Sequence, residues 1–145
     1  MKNKMLILSV RPHYADKMFK GTKTVELRRI YPKIRKDDLV LIYITSPIRA
    51  LAGAFKVDEI LAKSPSDLWR IVQKRAAITQ EEFNDYYAGA SKGVAICFRK
   101  IWKLSEPIKL EELKKRWPGF HPPRVFCYLN GNRDKQIIFR KLIKE

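Results

Sequence analysis

Runs of apolar positions cut the chain into short strands with helices set between them. Met5–Val10 is mostly apolar, too short for a helix and closed by Arg11-Pro12, so it predicts a strand. Pro12 suits the first turn of a helix, where its missing N–H costs nothing. Tyr14, Met18 and Phe19 give that helix an apolar side, and Gly21 marks its end. Thr22–Arg29 alternates and predicts a second strand. Leu39–Thr45 is apolar almost throughout, which fits a strand buried on both faces. Leu51–Ile60 predicts another strand, with Gly53 allowing a bulge or a close approach.

Two helices are predicted next. Ser64 caps the first, with Pro65 at its first position and Asp67 in its first turn; Leu68, Ile71 and Val72 are expected to face inward. Thr79 and Glu82 form a capping box for the second, with Phe83, Tyr86 and Tyr87 inside and Gly89 at its end. Gly93–Trp102 then predicts a strand, Leu110–Trp117 a short helix and Arg124–Leu129 a strand ended by the Asn130-Gly131 turn signal. Lys135–Ile143 fits helix or strand equally.

Strands and helices do not alternate regularly, which argues against a doubly wound parallel sheet. The expected fold is α+β, a small mixed β-barrel flanked by helices. The 145 residues suit one domain over 1–145, with a core over 5–130 and a basic C-terminal extension over 131–145.

The charge is large and unevenly placed. The chain has 31 Lys and Arg against 15 Asp and Glu, a net +16. Residues 1–36 carry net +9, residues 37–98 net −1 and residues 99–145 net +8. If the two ends meet in the fold, they make one basic face, which suits a polyanion such as nucleic acid. The alternative is a solvated lysine-rich surface that serves solubility. Two cysteines and no Cys/His cluster give no disulfide framework and no zinc site; no metal or other cofactor is expected. No apolar run approaches a membrane span or carries a signal-peptide pattern, so the expectation is a cytoplasmic protein, monomeric or weakly dimeric. The 19 Lys beside seven Asn and Gln suggest a thermophile.

The sharpest local feature is Gly21-Thr22-Lys23-Thr24-Val25-Glu26-Leu27-Arg28. It lacks the earlier glycine of a phosphate loop. In a strand, Thr24, Glu26 and Arg28 share one face, with Lys23 at its start. Such a polar row over an interior must pair or hold a ligand: either a Glu26–Arg28 ion pair braces the barrel mouth, or the row is a site. Arg124, Phe126 and Tyr128 form the second feature, either a platform for an unstacked base or, for the aromatics, plain core. His121 sits in a loop without a visible partner, and His13 reads as a surface residue.

With these stretches the sequence resembles the ASCH domain, a branch of the PUA-like superfamily. Residues 8–29, 37–61, 78–96 and 118–129 carry the match in family order, the G-x-K-T-x-E-x-R and P-P-x-x-F-x-Y stretches being the most specific pair. The resemblance implies a PUA-like barrel with a cleft beside the motif, lined or supported by Lys23, Thr24, Glu26 and Arg28. It places Ser46 and Pro47 nearby and Tyr128 at the rim. Arg11, Arg29 and Arg124 join these as nucleic-acid-binding candidates. It implies RNA ahead of DNA as partner. Some relatives are enzymes. In an amidohydrolase branch acting on N4-acetylcytidine, Lys23 matches the family's lysine. Glu26 stands in place of its threonine, and Arg75-Ala76-Ala77 occupies the neighbourhood of its glutamate. Another branch cleaves RNA. The main expectation is therefore an RNA-binding module. The alternative is a small hydrolase on a modified nucleoside or on RNA, with Lys23 and Glu26 as catalytic groups.

Overall fold

The computed structural model describes residues 4–129. Their elements are strand β1 (Met5–Val10), helix α1 (Pro12–Lys20), strands β2 (Val25–Arg28), β3 (Leu39–Ile44) and β4 (Ala50–Lys63), helices α2 (Pro65–Val72) and α3 (Gln80–Tyr86), strand β5 (Gly93–Lys109), helix α4 (Leu110–Arg116) and strand β6 (Phe126–Tyr128). The expected turn at Asn130-Gly131 and the extension 131–145 lie outside the described residues.

Local chemistry explains most element ends. Gly21 takes φ 85°, and its N–H donates to the Met18 carbonyl at 3.1 Å, closing α1. Ser64 Oγ accepts from the Asp67 N–H at the start of α2. Thr79 and Glu82 cap α3 reciprocally.

The strands form one curled, mixed sheet in the order β2-β5-β4-β3-β1-β6. β1 and β3 pair in parallel, and every other pair is antiparallel. Both faces are covered, which is why β1 and β3 read as unbroken apolar runs. Leu6, Leu8 and Val10 enter an inner core with Met18, Phe55 and Phe98, whose two phenyl rings stack at 4.2 Å. Met5 and Ile7 turn outward to Leu104, Leu113 and Trp117 beside α4. A third cluster packs Leu68, Val72 and Phe83 of α2 and α3 on Val25 and Leu27 of β2.

The sheet curls into a half-barrel along the long β4–β5 ribbon, whose register shifts at three points. At Gly53 the ribbon leaves no room: an added Cβ would lie 2.1 Å from the Trp102 carbonyl oxygen and 2.8 Å from the Phe19 ring. Gly53→Ala is expected to cost about 1–3 kcal/mol of stability from overpacking. An unchanged urea midpoint would contradict this.

Some expectations need correcting. The strand from Gly93 does not stop at Trp102 but runs on to Lys109, paired with Ala50 and Leu51. The second strand begins only at Val25, because the Thr22 and Lys23 N–H groups still donate to the Lys17 carbonyl of α1. Ile71 points to solvent at 47% exposure rather than inward, and Tyr86 is 39% exposed. Phe126 packs against the inner core, so the plain reading holds for that ring.

Among the described residues the half-barrel does not close. β2 is one edge of the sheet, and the curl brings it opposite the end of β1. There Arg28 Nη2 donates to the Ser9 carbonyl at 2.9 Å across the seam.

Candidate functional site

The seam between β2 and the end of β1 widens into a cleft of about 500 Å³. Since Val25 and Leu27 face α2 and α3, strand alternation turns Glu26 and Arg28 to the concave side. Glu26 is only 6% exposed, and its Oε2 accepts from Arg28 Nη2 at 2.5 Å. The other Glu26 oxygen has no hydrogen-bond partner among the described residues, and Arg28 Nε is buried without one. The pair therefore braces the seam and still has hydrogen-bonding capacity left.

Lys23 lies beside it, 2% exposed. Its ammonium donates to the Ala76 carbonyl at 2.7 Å and sits 5.1 Å from the centre of the Tyr14 ring. Burial lowers its pKa from the ordinary lysine value; the Glu26 carboxylate opposes that shift, while Lys17 and Arg28 add to it.

The walls come from distant parts of the chain. α1 contributes Tyr14, and the α2–α3 region contributes Ile78, Glu82 and Tyr86. Burial raises the Tyr14 and Tyr86 phenols above their usual pKa, so both are neutral donors and apolar surfaces at ordinary pH. The backbone and hydroxyl of Thr79 hold the Glu82 carboxyl below its usual value. On the other side Ser9 Oγ donates to the Pro123 carbonyl at 2.6 Å and the Ser9 N–H to the Val125 carbonyl at 3.2 Å. Ser9 thus ties Arg124 and Val125 to β1 while its own carbonyl receives Arg28. Exposed Arg11, Arg29 and Arg124 stand at the mouth.

Of the residues expected from sequence, Arg11, Lys23, Glu26, Arg28, Arg29 and Arg124 line this one cleft. Thr24, Ser46 and Tyr128 lie outside its lining. Thr24 turns away to Arg75, whose Nε donates to its hydroxyl at 3.0 Å. Ser46 is exposed in the turn after β3, and its neighbour Thr45 is the residue that reaches the cleft. Tyr128 accepts at its hydroxyl from the Lys33 N–H, 2.5 Å away. Sequence reasoning missed Ser9, Tyr14, Ile78, Glu82 and Tyr86 as cleft residues. The i,i+4 spacing of Glu82 and Tyr86 on α3 was the available signal for those two. Among the described residues no three His, Cys, Asp or Glu side chains group to hold a metal ion, and no helix is long and apolar enough to cross a membrane.

Lys23 makes a pH prediction. The unfolded chain keeps its lysine proton up to about pH 10.4, whereas folded Lys23 releases it earlier. In the window between, the unfolded state binds more protons, so rising pH adds stability through this group. The melting temperature of the wild type minus that of Lys23→Met is expected to grow as pH rises through that window. A flat difference would show that Lys23 titrates normally.

Comparison with known proteins gives the family. A model described as a domain of unknown function (DUF365) matches residues 4–115. An ASCH domain-containing ribonuclease of Zymomonas mobilis is 27% identical over 135 residues, covering 93% of this chain and 90% of that protein. The crystal structure of ASCH from Zymomonas mobilis superposes with a TM-score of 0.90 at 26% identity, covering 99% of each chain. A stretch of 108 residues is 31% identical to the large ribosomal subunit protein uL22 of Ureaplasma parvum, but spans only 34% of that protein. The chain belongs to the DUF365 family, and its curled half-barrel with flanking helices is the fold of the ASCH domains in the PUA-like superfamily.

Proposed function

We propose that the protein binds RNA, with an unstacked base entering the cleft and the backbone held at its mouth. The observation that carries this reading is the layering of charge in the cleft. Glu26 lies deep in the cleft with one oxygen unpartnered among the described residues, whereas exposed Arg11, Arg29 and Arg124 stand at the mouth. The second Glu26 oxygen accepts, so beside Lys23 and Arg28 it suits a group that offers an N–H, as a base edge does. Phosphates fit the arginine rim. Tyr14, Tyr86, Ile30 and Val125 supply apolar surface on which a base can rest. The Zymomonas mobilis relative's description as a ribonuclease favours RNA over DNA.

Fluorescence anisotropy of a labelled single-stranded RNA tests this. Lys23→Ala/Arg28→Ala is expected to weaken binding at least tenfold more than removal of two exposed lysines such as Lys63 and Lys74, with the fold checked by circular dichroism. Equal losses would leave only a general basic surface.

A second reading, RNA cleavage, is favoured by Lys23 itself. Burial lowers the Lys23 pKa, and in its neutral form the amine can accept the 2′-hydroxyl proton as that oxygen attacks the adjacent phosphorus. The P–O5′ bond then breaks, the 5′-oxygen takes a proton from water, and a 2′,3′-cyclic phosphate remains. Cleavage in the presence of chelator, abolished in Lys23→Ala, supports it; intact RNA after prolonged incubation rules it out.

A further inference from the structure

The link between α2 and α3 docks on the turn between α1 and β2 through a group of hydrogen bonds. The Thr24 N–H donates to the Arg75 carbonyl at 2.9 Å. In return Arg75 Nε donates to the Thr24 hydroxyl at 3.0 Å and Nη2 to the Thr24 carbonyl at 3.5 Å. The next two carbonyls each receive a lysine: Ala76 takes Lys23 Nζ at 2.7 Å and Ala77 takes Lys17 Nζ at 2.9 Å. Ala77 has φ 56°, a conformation that a side chain disfavours, so this link is held in shape by its surroundings.

We infer that Arg75 is a positioning residue for the cleft: its clasp on Thr24 fixes the Ala76 carbonyl against which the Lys23 ammonium rests. A lysine stem is flexible and its ammonium strongly hydrated, so a buried, single placement needs an acceptor that does not move. The planar guanidinium of Arg75 reaches both oxygens of Thr24 at once and supplies that rigidity. The same clasp sets the wall, because Ile78, Glu82 and Tyr86 follow the link directly. Glu26 and Arg28 face Lys23 from β2, Lys17 and Tyr14 from α1, and Glu82 from α3. The effect on RNA rests on the function proposed above; the effect on Lys23 does not.

Trace acetylation of the full chain, read lysine by lysine by mass spectrometry at several pH values, tests the clasp. Wild-type Lys23 is expected to react at least tenfold more slowly than exposed Lys63. Arg75→Ala and Thr24→Val should each raise the Lys23 rate several-fold, with Thr24→Ser restoring the wild-type rate. RNA affinity should fall in the same order. Thr24→Val keeps the main-chain bond to Arg75, so it decides the matter if Arg75→Ala fails to fold. Unchanged Lys23 labelling in folded Thr24→Val overturns the inference, even if RNA binding weakens. A wild-type protein that binds no RNA would sink the proposed function instead, while the labelling still judges the clasp.

Discussion

Glu26→Ala is expected to lower stability by about 3–5 kcal/mol, the cost typical of leaving one member of a buried ion pair without its partner. Among the described residues Arg28 would keep only the Ser9 carbonyl as an acceptor, and its Nε is already buried without one. With both side chains about nine-tenths buried, water can replace little of what is lost. Arg28→Ala in the same background removes the orphaned cation, so the double variant should recover a large share of the loss. Glu26→Gln keeps an acceptor at the same place and should cost far less, while changing which base the cleft prefers. Urea denaturation of the wild type, Glu26→Ala, Arg28→Ala and the double variant gives the interaction energy directly. A loss below about 1 kcal/mol in Glu26→Ala would mean that the pair behaves as a surface ion pair.

That pair was legible in the sequence, because strand alternation alone puts Glu26 and Arg28 on one face. Helix ends were legible for a similar reason: Gly21, Ser64 and the Thr79–Glu82 box act through contacts within a few residues. The far half of β5 was not. Lys103–Lys109 is polar and holds a proline, and what makes it a strand is pairing with Ala50 and Leu51, more than fifty residues earlier. The cleft wall escaped in the same way. Glu82 and Tyr86 read as an ordinary amphipathic helix until Arg75, Ala76 and Ala77 dock on the α1–β2 turn. Thr24 shows the limit of alternation itself: it has the parity of Glu26, but it precedes the first residue of β2 and turns to Arg75.

RNA affinity is expected to fall about 20-fold between about 50 and about 200 mM salt if the cleft mouth alone holds phosphates. Each neutralised phosphate on a single strand contributes roughly −0.7 to the slope of log affinity against log salt. Three rim arginines therefore give a slope near −2, and a fourfold rise in salt gives about that loss. The net charge of +16 is spread far beyond the rim, so a chain laid along the basic ends would give a much steeper slope. The triple variant Arg11→Ala/Arg29→Ala/Arg124→Ala separates the two. If the mouth does the holding, affinity at low salt drops by roughly a hundredfold and the remaining slope is near zero. If the ends do it, the slope shrinks by only about 2 from a larger value. Glu26→Gln must leave the slope as it is, since it faces a base edge and displaces no counterion. A slope that changed with Glu26 would put a phosphate at the floor and reverse the orientation proposed for the RNA.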